Sequence, residues 1–244
     1  MNILVLSIFS DSKRNNELLK IHRKNLVKTE NVDFYFITYD ENLSEEFVLV
    51  DDILFIKGKE DVMNVLDKTI KAFQYFTNIK QYDFIVRTNI STVLNYNLLN
   101  NYLKEIPKTN IYAGGVLFNL EWLDEKFGIT EETTKKYKLK GLYFFQGTCI
   151  ILSYDVVKFM LNNSEKFIHE LVDDVSIGLF IKRYTHFYYN CLLDTNRVKY
   201  VVLPRDKHIS DNVVVFRIKS FDDEKDIEIM DETYKNIATI SKII

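Results

Sequence analysis

The chain has 244 residues, 47% of them hydrophobic and 27% charged, which is enough apolar material for one substantial core and too much for a disordered chain. Lysine and arginine number 32 against 35 acidic residues, a formal charge of -3, so no overall positive field exists to hold a polyanion and the balance argues against bulk nucleic-acid binding. Seven glycines and two prolines are too few for collagen-like, linker-rich or low-complexity architecture.

Ile3 to Phe9 is a continuous apolar run followed by the polar stretch Ser10 to Asn16, the pattern of a strand buried on both faces of a parallel sheet. It is too short to span a membrane and lacks the basic head and small-residue cleavage site of a secretory signal. Cys149 and Cys191 lie far apart with no metal-ligand spacing around them, so neither a disulfide framework nor a zinc site is expected and the expected setting is a reducing cytoplasm. A helix is predicted from Glu17 to Val27 through Leu18, Leu19, Ile21 and Leu26, with strands at Phe34 to Thr38 and Ile53 to Ile56. Asp61 to Phe76 reads as a helix through Val62, Val65, Leu66, Thr69, Phe73 and Phe76, and Phe84-Ile85-Val86 as a further strand. This alternation predicts parallel pairing with right-handed crossovers.

Beyond Pro107 the winding is less regular. An apolar block at Ile111 to Phe118, a charged segment Asp124 to Lys140 and a second apolar block at Leu142 to Leu152 are followed by short helices at Asp155 to Leu161 and Asp173 to Tyr184. Val198 to Leu203 and Val213 to Ile218 read as strands, and Asp226 to Ile243 as a terminal amphipathic helix. No Ser/Gly linker or internal repeat divides the chain. The expectation is one α/β domain over residues 1–244, with a mostly parallel central sheet flanked by helices, a nucleotide-type first half (1–106) and an irregular second half (107–244).

Four segments follow one another in a telling order: Lys68-Thr69 on a helix; Tyr82 to Asn89, reading Tyr-Asp-Phe-Ile-Val-Arg-Thr-Asn; Tyr143 to Ser153; and Val172-Asp173-Asp174-Val175-Ser176-Ile177-Gly178. Over roughly Asp67 to Phe180 the chain resembles the Fringe and β-1,3-galactosyltransferase-like glycosyltransferases of GT-A fold. The resemblance implies transfer of a sugar from a nucleotide-sugar donor, a UDP-sugar favoured, to a glycan, lipid or protein-linked acceptor with inversion. It would make residues 1–106 the nucleotide-binding half and give 107–244 the acceptor and catalytic roles. It implies a catalytic carboxylate at Asp174 beside Asp173, and Mn²⁺ or Mg²⁺ held by a DxD motif at the strand end. There the chain departs from the pattern and reads Arg87-Thr88-Asn89-Ile90-Ser91, without an acidic residue. Amide and hydroxyl oxygens hold a hard cation less well than carboxylates do, which leaves Asn89 and His208 as the metal candidates and puts metal dependence in question. Arg87, Arg217 and Lys219 are candidates to neutralise the diphosphate instead.

Each candidate has a second, structural meaning. Ser7, Ser10 and Arg14 close the first strand, where such a sheet meets the nucleotide, and with Lys68 they join the donor set. Arg87, Thr88, Asn89 and Ser91 stand at the carboxyl end of a strand, a ligand-binding position in open α/β sheets, but the last three also suit a turn or helix cap. Asp173 and Asp174 supply the base or complement a helix dipole. Arg217 and Lys219 project to one face of a strand, toward a diphosphate or into water. Trp122, with Tyr112 and Phe118, forms an acceptor platform or joins the core. Gly114-Gly115, like Gly147, allows close approach to a sugar or makes a turn. Two other functions fit less: a catalytically silent nucleotide- or carbohydrate-binding module that has lost the DxD carboxylates, and a nucleotidyltransferase-like enzyme, for which the phosphate loop after the first strand is missing.

Overall fold

The first strand, β1 (Ile3–Ile8), is buried along its whole length, because it pairs in parallel with β2 (Val32–Asp40) on one side and β5 (Phe84–Asn89) on the other. The computed structural model describes residues 1–26, 30–185, 188–190, 198–201 and 212–240. Between β1 and β2 lies α1 (Lys13–Asn25), opened by Ser12, whose side chain accepts from the Asn15 N–H. An edge hairpin of β3 (Phe47–Val50) and β4 (Ile53–Lys57) attaches through the parallel β2–β4 pair. After a short 3₁₀ turn, α2 (Val65–Ile79) crosses back to β5.

The second half breaks its apolar blocks between layers. Strand β6 (Thr92–Leu94) and helix α3 (Tyr96–Lys104) lead to β7 (Ile111–Gly114) and β8 (Leu117–Leu120). Helix α4 (Glu131–Tyr137) precedes β9 (Leu142–Phe145), and β10 (Cys149–Ser153) continues into α5 (Tyr154–Leu161) and α6 (Asp173–Tyr184). The chain then forms β11 (Tyr188–Asn190), β12 (Val198–Val201), β13 (Val215–Ile218) and α7 (Asp223–Ile240). Eight strands make one sheet in the order β11-β7-β10-β5-β1-β2-β4-β3. Among its central strands only β10 runs against its neighbours, so the expected mostly parallel α/β sheet flanked by helices is present. Ile111 to Phe118, a single apolar run in sequence, divides at Gly114-Gly115: β7 enters the main sheet while β8 pairs with β9 in a separate ribbon. Leu142 to Leu152 divides in the same way at Gln146-Gly147-Thr148. A third sheet, β12-β13-β6, stands at the end of β5. The sequence pattern misses β3, β6, α3, α4 and β11. The predicted strand Val198 to Leu203 and the end of the terminal helix pass beyond the described residues, as do His186, Cys191 and His208.

Alternation along β1 sends Leu4, Leu6 and Ile8 to a core with Phe73 and Phe76 of α2, Val156 of α5 and Phe180 of α6. Ile3 and Val5 face Leu99 and Leu103 of α3. Cys149 belongs to that second core as a free thiol, and burial pushes its pKa up to about 12, which makes it inert. A third cluster joins Leu18 and Leu19 of α1 to Ile229, Met230 and Tyr234 of α7. No helix among the described residues is long and apolar enough to cross a membrane.

His22 fastens α1 and α7 to the turn that follows β5. Its Nε2 lies 2.8 Å from the Ile90 carbonyl and its Nδ1 2.6 Å from the Tyr234 hydroxyl. A carbonyl only accepts, so Nε2 carries the proton and Nδ1 accepts from Tyr234. Burial lowers its pKa to about 4 against the opposing pull of the Ile90 carbonyl. An imidazole of ordinary pKa when unfolded takes up protons on unfolding between pH 6.5 and about 4, so it erodes stability as pH falls through that window, by up to about 3 kcal/mol. Asp174, raised to about 6, acts in the opposite sense. Unfolding curves from pH 7 to 4 on the parent and on His22→Gln separate the two: the variant should be less stable at pH 7, and its deficit should shrink toward pH 4.

Candidate active site

A cavity of about 630 Å³ opens where β1 and β5 end, in the size range of small-molecule sites. Ile8, Phe9 and Ser10 border it from β1, and Asn89, Ile90 and Ser91 from β5. The remaining walls are the Gln146–Gly147–Thr148 turn, Asp173 and Asp174 at the start of α6, Arg217 of β13 with Lys219 just after the strand, and an aromatic side of Phe118, Trp122 and Phe144.

The acidic side is built on one peptide. Arg87 reaches from β5 to donate one guanidinium nitrogen to the Gly147 carbonyl and another to Asp173. A β-carbon on Gly147 would stand 2.5 Å from Arg87 Nη1, so glycine lets the guanidinium lie against the turn. The Gly147 N–H in turn donates to Asp174 Oδ2 at 2.9 Å, while Asp174 Oδ1 accepts from the Val175 N–H at 2.8 Å. Asp173 and Asp174 occupy the first turn of α6, where carboxylates complement the helix dipole. The capping and cavity-facing roles therefore coexist. Asp173 is buried in its ion pair with Arg87. Asp174 is half-buried and borders the cavity; burial, together with the neighbouring Asp173 charge, raises its pKa to about 6 against the N–H groups and Arg87 that favour the anion. That is the range of a general base working near neutrality.

The strand end opposite is polar and cationic. Asn89 Oδ1 accepts from Thr92 Oγ1 at 2.8 Å and from Arg217 Nη1, and Asn89 Nδ2 donates to the Gly147 carbonyl at 3.2 Å. Arg217 Nη1 also donates to Ser91 Oγ. Asn89 and Ser91 have the two-residue spacing of DxD carboxylates, but both side chains are neutral and both already accept from a guanidinium. Among the described residues no three or more His, Cys, Asp or Glu side chains gather as a cation site. The donor set at Asn89 therefore does not fit Mn²⁺ or Mg²⁺. His208, the other metal candidate, lies outside the described residues.

Of the remaining sequence candidates, Ser10, Arg14, Arg87, Ser91, Lys219 and Trp122 border the cavity. Arg14 Nε donates to Asp226 at 3.0 Å, which ties the start of α1 to α7. Ser7, Lys68, Thr88, Gly114 and Gly115 do not line it and are corrected to structural roles. Ser7 is fully buried within β1, and Thr88 spends its hydroxyl on the Thr148 carbonyl at 2.8 Å. Lys68 is buried behind the wall, donating to the Phe9 carbonyl at 3.2 Å and to Glu60 Oε2 at 2.7 Å, so it positions Glu60 rather than meeting a donor. Gly114 is a packing residue: a β-carbon there would stand 2.5 Å from the Cys149 carbonyl. The Gly115 N–H donates to that carbonyl. Tyr112 leaves the aromatic platform for the core, where its hydroxyl accepts from the Phe145 N–H. Trp122 stays at the cavity, 41% exposed, with its ring 5.6 Å from that of Phe118 and 6.2 Å from that of Phe144. Sequence reasoning misses Glu60, Asp61 and Asp124 on the wall; nothing in their local pattern distinguishes them from solvated loop charges.

The fold and cleft define an α/β domain with a cavity at the carboxyl edge of a mostly parallel sheet, bordered by a half-buried carboxylate and by Arg217 and Lys219. A galactosyltransferase family model matches residues 33–191, and the chain belongs to that galactosyltransferase family. Its similar curated relatives include the UDP-GalNAc:beta-1,3-N-acetylgalactosaminyltransferase 2 of Xenopus tropicalis, 26% identical over 146 residues, 58% of this chain and 29% of the relative. The Homo sapiens protein of the same name is 24% identical over 160 residues, 62% of this chain and 31% of the relative. The matched stretch thus spans less than a third of these relatives' own length. A solved galactosyltransferase, LgtC in complex with donor and acceptor sugar analogs, aligns with 95% of this chain and 96% of its own at 11% identity and a TM-score of 0.45.

Within the matched stretch, Gly178 lets α6 lie against β9. A β-carbon on it would come 2.4 Å from Phe144 Cβ and 3.3 Å from the Tyr143 carbonyl, groups that cannot swing away. Gly178→Ala should cost about 1–3 kcal/mol in chemical denaturation and loosen the placement of Asp174 four residues earlier on the same helix.

Proposed function

We propose that the chain is an inverting glycosyltransferase that moves a sugar from a nucleotide-sugar donor, UDP-linked, to a hydroxyl of a glycan, lipid-linked or protein-linked acceptor. The observation that carries this reading is Asp174, whose pKa is raised to about 6 and which shares one cavity with Arg217 and Lys219. Family membership and the UDP-linked donor printed in the relatives' name support the same donor class. A cytoplasmic setting is part of the proposal, resting on the sparse cysteines of the chain.

In the reaction the acceptor oxygen attacks the anomeric carbon and its proton passes to a carboxylate oxygen of Asp174. The oxygen–carbon bond forms as the bond from that carbon to the diphosphate breaks, and the bonding electron pair leaves with the diphosphate. The Gly147 N–H holds Asp174 in one orientation, so the base is set before the acceptor arrives. The positive charge of Arg217 and Lys219 offsets the charge that develops on the leaving group. The half-exposed Trp122 ring beside Phe118 suits the apolar face of an acceptor sugar. Ser10 and Arg14, at the β1 end of the cavity, suit the nucleoside. The silent-module alternative draws on the missing DxD carboxylates alone and leaves the activated Asp174 without a purpose.

Incubation with UDP-GalNAc and other UDP-sugars against a panel of sugar acceptors, with the anomeric configuration of the product read by NMR, tests the reading; donor binding without transfer or hydrolysis would favour the silent module. Asp174→Asn keeps an oxygen for the Gly147 N–H but cannot take the proton, so transfer should fall about 10²–10⁴-fold with UDP affinity retained. Because the base works as the anion, transfer by the parent should decline as pH falls below about 6, and Trp122→Ala should raise the acceptor KM with little change in the donor KM.

A further inference from the structure

The turn after β5 is the place where the resemblance implies a divalent cation, and a side chain stands there instead. Arg217 Nη1 donates to Asn89 Oδ1 and to Ser91 Oγ, the two positions with the DxD spacing. The contact is fixed by backbone rather than by a flexible reach. Strand β13 pairs antiparallel with β6, with Arg217 opposite Thr92, and the Ile218 N–H donates to the Ser91 carbonyl at 2.9 Å. Asn89 Oδ1 takes a second bond from Thr92 Oγ1 at 2.8 Å, which occupies both lone pairs. A metal ion at this oxygen would have to expel the guanidinium. Two residues further along, Lys219 borders the same cavity, so the strand brings two positive charges to the diphosphate end, equal in number to those of a divalent ion. Strand β13 lies outside residues 33–191, the stretch matched by the family model.

We propose that Arg217, with Lys219, is the resident cation of the donor site and replaces the divalent metal, so that this chain binds its donor diphosphate without Mn²⁺ or Mg²⁺. The inference rests on the glycosyltransferase reading. Neutral oxygens at Asn89 and Ser91 orient the guanidinium without the ion pair that carboxylates at both positions would make with it.

Calorimetric titration with UDP and with UDP-GalNAc, in excess EDTA and in excess Mn²⁺, tests this on the parent chain, on Arg217→Gln, which removes the charge but retains a polar group for Asn89 and Ser91, and on Arg217→Lys, which keeps the charge. The parent should bind equally in both media. Arg217→Gln should bind about tenfold to a hundredfold more weakly in EDTA, and Arg217→Lys should fall between the two; unfolding midpoints near the parent's verify that the variants are folded. The triple variant Asn89→Asp, Ser91→Asp, Arg217→Ala should regain affinity when Mn²⁺ is added, a metal response the parent lacks. Parent binding that appears only with Mn²⁺, or a folded Arg217→Gln that binds as the parent does in EDTA, overturns the inference and leaves the glycosyltransferase reading standing. Failure of the parent to bind any nucleotide or nucleotide sugar in either medium overturns both.

Discussion

Arg87 and Asp173 form a buried ion pair that crosses from the end of β5 to the start of α6, and the geometry of the cleft is referred to it. The same guanidinium holds the Gly147 carbonyl, so strand, turn and helix meet at one cation. A buried pair of this kind adds little net stability, because desolvation offsets most of the Coulomb gain, but removing one partner strands a charge at a cost of roughly 3–5 kcal/mol. Its value here lies in register. Asp174 is the next residue after Asp173, and its Oδ2 is held by the N–H of the same Gly147 whose carbonyl faces Arg87. The position of the proposed base is thus set by a polar network that tolerates few alternative arrangements.

The cleft carries charges of both signs. Buried Lys68 is matched by Glu60 and Arg14 by Asp226, so these pairs brace the walls and contribute little net field. Burial draws the Lys68 pKa below the ordinary lysine range while Glu60 opposes the change, and Glu60 is thereby held at the cavity edge. Asp174 of α6, Arg217 and Lys219 border the same cavity, along with Asp61 and Asp124. A chain with a formal charge of -3 has no long-range attraction for an anion, so the proposed recognition of a diphosphate would rest on local cations inside a shaped cavity.

Where local pattern dictates structure, the sequence was readable. The continuous run Ile3 to Phe9 became β1, and the helix predicted from Asp173 to Tyr184 has those same limits, because strand burial and an acidic first turn are local signals. The cleft was legible in part: Arg87, Asn89, Ser91, Asp173, Asp174, Arg217, Lys219 and Trp122 were singled out and converge on one cavity. The misplacements have a common cause. Lys68 looked like a donor ligand because nothing near it in sequence reveals Glu60 across a loop, and Gly114 looked like a point of sugar approach because its neighbour, the Cys149 carbonyl, comes from an antiparallel strand. The bond from Arg217 to Asn89 joins residues 128 apart, a distance over which one sequence carries no pairing signal.

That long-range bond stands where the proposed donor site lacks an acidic strand end. The matched stretch, residues 33–191, carries Asn89, the Gln146–Thr148 turn and both aspartates, which is the acidic and polar half of the cleft. Strand β13 lies beyond it, and α7 holds β13 in place by packing Ile229 and Met230 in the same cluster as Phe216 and Ile218. Helix α7 reaches the strand end by a second route, since Tyr234 donates to His22 and His22 to the Ile90 carbonyl, the residue between Asn89 and Ser91. Arginine and its two acceptors are therefore located from both sides by one helix. A mobile arginine would lose affinity to the entropy of ordering its side chain on each binding event. A guanidinium fixed in this manner is ordered before any donor arrives, and that preorganisation is what the proposed replacement of an ion by a side chain requires.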